Sequence, residues 1–324
     1  MRAITQDRYG QPDILRLQDV SEPKIGDTDL LVRVHAAGLN AADGHMLTGV
    51  PMPLRLVTGL RRPREPILGT ELSGVVEAVG SAVTDFAVGD EVITEIGRGS
   101  LAEVARVEAK LAVRKPRNLT HQQAAALPLA SITALKAVRD VGKVESGQHV
   151  LINGASSGVG IYAVQMAVAR GAKVTGVCST KNVEMVRSLG GHHVIDYTTD
   201  DFTQTSERFD VLIDIVSSRS LESSRQVLTD NGRFVMVGDM TMGKWLGVGR
   251  QFRTVMKDPF VSQSLKPMLA KTNRADLEAI VDMVEAGTVR PVIDHVYPLE
   301  ETAAAMRQVL GGHTRGKIVV EIAK

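Results

Sequence analysis

Three glycines, Gly154, Gly158 and Gly160, lie in the run HVLINGASSGVGIYAVQMAVA (residues 149–169), where a short apolar stretch gives way to a helical one. Without Cβ atoms, the backbone at such residues can turn tightly and come close to a ligand. The helix that follows begins with N–H groups that have no partner inside it and with the positive end of its dipole, which together favour a pyrophosphate. The spacing is G-x-x-x-G-x-G rather than the dinucleotide fingerprint G-x-G-x-x-G, so the surroundings must decide its use. Gly154-Ala-Ser-Ser-Gly158 also reads G-x-S-x-G, the strand-to-helix turn that carries the nucleophile of α/β-hydrolases. Against that reading, Gly160 extends the phosphate-binding pattern and no HGGG-type oxyanion segment occurs.

The neighbouring elements are those a nucleotide site needs. Val150, Leu151 and Ile152 suit a buried parallel strand, and Lys173 to Cys178 reads as a second strand after the intervening helix, completing a β-α-β unit. Further strands are expected at 193–196, 211–215 and 232–237, alternating with helices near 182–189 and 220–228, as in a doubly wound parallel sheet. The chain before residue 120 has a different texture: short strand-prone segments at 30–36, 74–79 and 91–94 are separated by Gly, Pro and Asp. A helix at 121–126, a break at Pro128 and a helix at 131–141 lead into the glycine turn. Residues 240–272, with methionines, Trp245, basic residues and Pro259, interrupt the alternation and read as a mobile flap or an interface. A helix at 274–286 and a strand at 292–296 are expected to complete the second domain, followed by a helix at 299–310 and a last strand at 317–322.

With 324 residues, 44% of them hydrophobic, the chain can fill two cores. A net charge of +1 with dispersed basic residues gives no electrostatic reason to expect nucleic acid or a membrane as partner, which leaves small molecules. No apolar signal core opens the sequence, and no run approaches the ~20 apolar residues that span a bilayer. The single cysteine, Cys178, excludes an intrachain disulfide framework and any multi-cysteine metal site, so a cytoplasmic location is expected. There is no internal repeat or low-complexity linker.

Five segments in order, Asn40-Ala-Ala-Asp43, Leu68-Gly-Thr-Glu-Leu-Ser-Gly-Val-Val76, Phe86-Ala-Val-Gly-Asp-Glu-Val92, Ala124-Ala-Ala-Leu-Pro-Leu-Ala130 and Gly311-Gly-His-Thr-Arg-Gly-Lys317, resemble the medium-chain dehydrogenase/reductase superfamily. The branch they look most like is the zinc-independent quinone oxidoreductases and enone reductases. The resemblance implies an α/β protein: a GroES-like β-rich catalytic domain made of 1–120 and 297–324, and a Rossmann doubly wound parallel sheet in 121–296, with the active site in the cleft between them. A homodimer is compatible with it.

Zinc-dependent members of that superfamily carry a catalytic Cys near residues 40–43, a Gly-His-Glu triplet and a four-cysteine lobe. Here the triplet position reads Gly69-Thr70-Glu71, and no His/Cys cluster has metal-ligand spacing. No metal is expected. Hydride addition to a simple ketone makes a basic alkoxide that needs a Lewis acid or a placed proton donor. A quinone or enone instead spreads the charge into a hydroquinone anion or enolate, which hydrogen bonds and solvent can support. No Y-x-x-x-K sequence offers the short-chain-reductase route.

An NAD enzyme of this architecture usually ends its second Rossmann strand on an acidic residue that binds the adenosine ribose. This chain has Val177-Cys178-Ser179-Thr180-Lys181 there. By resemblance, Ser179 and Lys181 fall near a 2′-phosphate and Tyr197 beside the adenosine, which implies NADPH; the alternative is that Ser179 and Lys181 only start a helix. The resemblance further places Ser156, Gly158 and Val159 at the pyrophosphate, Gly238 on the nicotinamide side, and His313, Thr314 and Arg315 on a segment reaching back to the cofactor, or on a surface turn. On the substrate side, Asn40 could orient the nicotinamide or a substrate oxygen, with Asp43 and His45 as neighbours. Equally, Asn40 could cap a turn, Asp43 pair with a base, and His45 line the cleft. Related enzymes often have a Tyr or Lys next, but Gly44-His45-Met46-Leu47 has neither. That leaves a cofactor-binding sensor or interaction protein with little turnover as the alternative function. His192-His193 reads as a surface pair, since adjacent strand residues point apart.

Overall fold

The computed structural model describes residues 1–238, 254, 256, 258, 261–268 and 270–323. They form two compact units, Met1–Ile132 with Thr272–Lys324, and Thr133–Lys271.

The first unit opens with an antiparallel pair, β1 (Arg2–Thr5) and β2 (Arg16–Asp19). Its main sheet contains β3 (Asp29–Leu39), β4 (Glu71–Val79), β5 (Glu91–Glu95), β6 (Val104–Glu108) and β7 (Val113–Arg114), joined from the far end of the chain by β14 (Ile293–Pro298) and β15 (Lys317–Glu321). The order is β14-β15-β3-β4-β5-β7, with β6 also on β3. Alternation explains the core: Leu30, Val32 and Val34 point inward and are fully buried, while Arg33 between them is exposed. They pack with Leu72, Val76, Ile318 and Val320 from two other strands of the sheet. Helix α1 (Ala41–Thr48) follows β3 directly, and α2 (Arg55–Thr58) and α3 (His121–Ala125) complete the N-terminal part.

Helix α4 (Pro128–Leu135) spans the boundary between the units and runs on into a π turn at Lys136–Val141. Pro128 is therefore the first residue of a helix, where its missing N–H costs nothing, rather than a break between helices. The second unit is a six-stranded parallel sheet: β8 (His149–Asn153), β9 (Lys173–Cys178), β10 (His193–Asp196), β11 (Phe209–Asp214), β12 (Leu228–Met236) and β13 (Ser264–Pro267). Its order is β10-β9-β8-β11-β12-β13, with every pairing parallel. Helices α5 (Gly160–Ala169), α6 (Val183–Ser188) and α7 (Leu221–Gln226) make the crossovers. Val150, Leu151 and Ile152 are completely buried, as a strand covered on both faces requires. The order reverses between β8 and β11, and open α/β sheets bind ligands outside the carboxyl ends of the strands at such a reversal.

The structure corrects the expected domain limits. Helix α8 (Arg274–Glu285) and β14 belong to the first unit, and the divisions fall at 132/133 and 271/272 instead of 120/121 and 296/297. β14 pairs in parallel with β15 through the crossover helix α9 (Thr302–Leu310), so its partner strand lies in the β-rich sheet. Most of the stretch 240–272, including Trp245 and Pro259, lies outside the described residues; within it, β13 is the edge strand of the parallel sheet. Among the described residues no helix is long and apolar enough to cross a membrane.

Candidate active site

The glycine turn closes the end of β8 at the reversal of the sheet. Gly154 has φ +91°, a conformation side chains rarely adopt. At Gly160, a Cβ would fall 2.1 Å from Gly154 O, so the first residue of α5 is packed directly against the turn. The Ser157 hydroxyl accepts from Gly160 N at 3.1 Å, and Ile161 N donates to Ser157 O. The start of the helix is thus partly capped from within the turn: the amides of Gly160 and Ile161, which have no partner inside the helix, find one in Ser157. Val159 sits at the N-cap position, next to Gly158.

Asn182 organises the adjoining corner. Its side-chain N–H donates to Ser156 Oγ at 3.1 Å and to Ser179 Oγ at 3.2 Å, so the turn and the segment after β9 are tied together by one buried amide. Asn182 Oδ1 is buried with no partner among the described residues. Lys181 is exposed beside this corner, and Tyr197, 47% exposed, is held by its backbone N–H to Cys178 O. Asp196, at the end of the neighbouring strand β10, is held below the usual carboxylate range by hydrogen bonds from Thr180 and Thr198. Ser156, the serine of the G-x-S-x-G reading, is hydrogen-bonded by Asn182 rather than by a histidine.

On the other side of the reversal point, the fully buried Asp214 accepts from Asn153 Nδ2 and from Ser217 N, both at 2.8 Å. Ser217, with φ +57°, donates its hydroxyl to Gly238 O. Gly238 has Ile215 O 2.4 Å from where a Cβ would lie, which explains glycine at that position.

A second polar cluster lies in the first unit, where β3 turns into α1. Asn40 N donates to Asp43 Oδ2 at 2.8 Å, the reciprocal bond of an N-terminal cap. Asn40 Nδ2 donates to Glu71 Oε1 at 2.7 Å, and Asn40 Oδ1 accepts from Lys317 Nζ at 2.5 Å. Lys317, 2% exposed, also donates to Glu71 Oε1 at 2.6 Å and to Leu39 O at 3.0 Å, which uses its three protons. Glu71 Oε2 accepts from Leu129 N. Thr70 Oγ1 donates to Asp43 Oδ2 at 3.3 Å, while Asp43 Oδ1 is buried without a partner among the described residues. Asn40 and Asp43 thus converge, joined by Thr70, Glu71 and Lys317, three residues that sequence reasoning placed in family motifs without assigning them to the site. His45 is on the same helix, and its Nδ1 bonds to Val50 O. His313, Thr314 and Arg315 lie in the loop before β15, where Arg315 N donates to Asp294 Oδ2. His192 accepts from Val174 N, and His193 is exposed.

Burial raises the Asp43 carboxyl from its ordinary value near 3.8 to about 7. The folded state therefore binds this proton more tightly than the unfolded chain. The stability it contributes is full below the unfolded pKa and is lost as pH rises through the folded value. Asp43→Asn removes the titration. Relative to the parent, the variant is expected to gain stability between pH 5 and pH 8, by a few kcal/mol at most. Urea unfolding at both pH values measures the difference; a parallel shift at the two would refute it.

The family's zinc can be tested against these residues. Thr70 offers a hydroxyl already committed to Asp43, Glu71 is neutralised by Lys317, and Cys178 is buried in β9 with its thiol pushed up to about 11. This donor set does not fit a catalytic zinc. Among the described residues no three His, Cys, Asp or Glu side chains are grouped to hold a metal ion.

A parallel sheet in this order with a glycine turn at its reversal, together with a β-rich unit assembled from both chain ends, defines the two-domain dehydrogenase class. Residues 26–117 match the alcohol dehydrogenase GroES-like domain and residues 189–320 the zinc-binding dehydrogenase domain. The chain is 32% identical to the mitochondrial NAD(P)H oxidoreductase RTN4IP1 of Mus musculus, over 99% of this chain and 89% of that protein. It is 33% identical to the 2-methylene-furan-3-one reductase of Solanum lycopersicum, over 99% and 79%. The quinone oxidoreductase structure from Coxiella burnetii superposes with a TM-score of 0.85 at 29% identity, covering 99% of both chains. The chain belongs to the medium-chain dehydrogenase/reductase superfamily and is an oxidoreductase with quinone oxidoreductase-like relatives.

Proposed function

We propose that the protein is an NADPH-dependent, zinc-independent reductase of quinones or activated alkenes. The observation that carries this reading is the cluster of half-buried Asn40 with buried Asp43, Thr70, Glu71 and Lys317: Thr70 and Glu71, which the family resemblance matches to the zinc-ligand triplet, are committed to hydrogen bonds with Asp43, Asn40 and Lys317. The names of the relatives support the same acceptor class. When bound, the nicotinamide supplies the hydride. The turn at Ser156, Gly158 and Val159 binds the pyrophosphate, with Asn182 fixing the Ser156 and Ser179 hydroxyls. Lys181, Ser179 and Tyr197 take the 2′-phosphate end, and the backbone held by Asp214 and Ser217 shapes the nicotinamide side. Asn40, fixed by Glu71 and Lys317, orients the acceptor. A cytoplasmic location and a homodimer belong to the same reading.

Lys181→Ala is expected to weaken NADPH about tenfold and NADH by less than about twofold, because an exposed cation acts in screening solvent. Direct binding of both cofactors measures this, and equal losses would move Lys181 away from the 2′-phosphate. A panel of quinones, enones and simple ketones, followed by NADPH oxidation with chelator present, tests the acceptor class. Quinones or enones are expected to lead undiminished by the chelator; ketones leading, or loss of activity with loss of bound zinc, would overturn it.

A further inference from the structure

Leu56, Val57 and Leu60 are 67%, 73% and 67% exposed, more than any other large apolar side chain among the described residues. They fall within five residues, on helix α2 and the turn that follows it. Single apolar side chains at a surface need no explanation, whereas a group of them marks a contact. The backbone beneath these three is fixed. Arg55 Nε donates to Gly49 O at 3.0 Å, and its guanidinium lies over the Tyr9 ring, 4.5 Å from the centroid. The Tyr9 hydroxyl donates to Gly59 O at 2.7 Å, and Arg64 N donates to Thr58 O at 2.8 Å, which turns the chain back on itself. Gly59, at φ +126°, permits that reversal, since a Cβ there would lie 2.1 Å from Arg62 O. Arg55, Thr58 and Gly59 thus hold the segment to its unit, and the leucines and valine between them are left to solvent.

The same segment concentrates charge. Between Asp43 and Glu71 stand four arginines, Arg55, Arg61, Arg62 and Arg64, against one carboxylate, Glu65, a net +3. Arg61, Arg62 and Arg64 are exposed, and none of them forms a salt bridge among the described residues. The charge of Glu65 acts on Arg98. The net charge of +1 for the whole chain averages this local excess away.

We propose that residues 55–64 are a docking surface for the anionic headgroup face of a lipid bilayer. Leu56, Val57 and Leu60 enter the boundary between headgroups and acyl chains, and Arg61, Arg62 and Arg64 meet the lipid phosphates, to which a guanidinium offers paired donors. Side chains exposed by two-thirds or more protrude rather than line a recess, which suits a fluid surface that closes around them. The patch lies within the first unit alone, and its use requires neither the cofactor nor a particular acceptor.

Cosedimentation of the full chain with vesicles tests this, with phosphatidylcholine alone and with phosphatidylcholine mixed with phosphatidylglycerol. Binding is expected to the mixed vesicles only, and to weaken as salt is raised, because the surface attraction is screened. Arg61→Gln combined with Arg62→Gln is expected to lower the partition coefficient about 25-fold, at about fivefold per cation. Leu56→Ser combined with Leu60→Ser is expected to lower it about tenfold or more. All four side chains are exposed, so the thermal midpoint should stay that of the parent. No binding to the mixed vesicles would overturn the proposal. So would binding that the two serine substitutions leave unaltered, the result expected if charge alone were read, as on an acidic protein. A parent that sediments as a dimer, dissociates on the serine substitutions and leaves vesicles unbound would overturn it in favour of a second copy of the chain.

Discussion

Lys317→Met is expected to lower the stability of the first unit by about 3–5 kcal/mol, the usual cost of leaving one member of a buried ion pair uncompensated. Glu71 is 0% exposed and Lys317 2% exposed, so no solvent is at hand to replace the ammonium. Methionine preserves most of the volume, which separates loss of charge from loss of packing. The change also frees Leu39 O and Asn40 Oδ1, both of which accept from Lys317 Nζ. In thermal unfolding this corresponds to a fall of roughly 10 °C in the transition of that unit. Glu71→Gln combined with Lys317→Met removes the stranded charge and should recover part of the loss, while the oxygen of the introduced amide can still accept from Asn40 Nδ2. An unchanged thermal midpoint for Lys317→Met would show that the pair contributes nothing net. An equal loss in the double variant would trace the deficit to packing.

The sequence conveys local elements well where their patterns are strong. The strands at Lys173–Cys178 and His193–Asp196 have the limits their sequences predict, because short β-prone runs there are bounded by glycine and polar residues. The glycine turn is legible for the same reason: strand, glycines and helix are contiguous. The affiliation of β14 is not. Ile293–Pro298 is a strand in either sheet, and only its pairing with Lys317–Glu321 decides which one. The polar clusters are half legible. Asn40 and Asp43 stand three apart at a helix start, a spacing with a known capping use. Lys317 opens a strand, where a lysine ordinarily points to solvent, and its burial depends on two residues far away in the chain, Asn40 and Glu71. Asn182 reads as the start of a helix until its contacts with Ser156 and Ser179 are seen.

Gly160→Ala is expected to weaken NADPH binding by about 100-fold or more, equivalent to about 2.7 kcal/mol. The added Cβ would lie 2.1 Å from Gly154 O and 2.8 Å from the Ala155 backbone, and neither is the end of a flexible side chain that could swing away. Relief requires α5 to back off or the turn to open. Gly154 O is itself the acceptor for Ser157 N, whose hydroxyl holds Gly160 N, so displacement breaks the small ring of bonds that shapes the turn. The amides proposed to meet the pyrophosphate then lose their common direction, and a shift of about 1 Å is enough to forfeit most of a positioned interaction. Helix α5 should survive, because alanine is a better helix former than glycine and the buried residues Ile161, Val164 and Ala167 remain in place. Gly158→Val provides the contrast. It is expected to block the approach of the phosphate from outside the turn, so its loss of affinity should come with an unchanged thermal midpoint, whereas Gly160→Ala should lower both. Fluorescence titration with NADPH alongside thermal unfolding separates the two. A Gly160→Ala protein with a lowered thermal midpoint that still binds NADPH like the parent would show that the phosphate is held elsewhere.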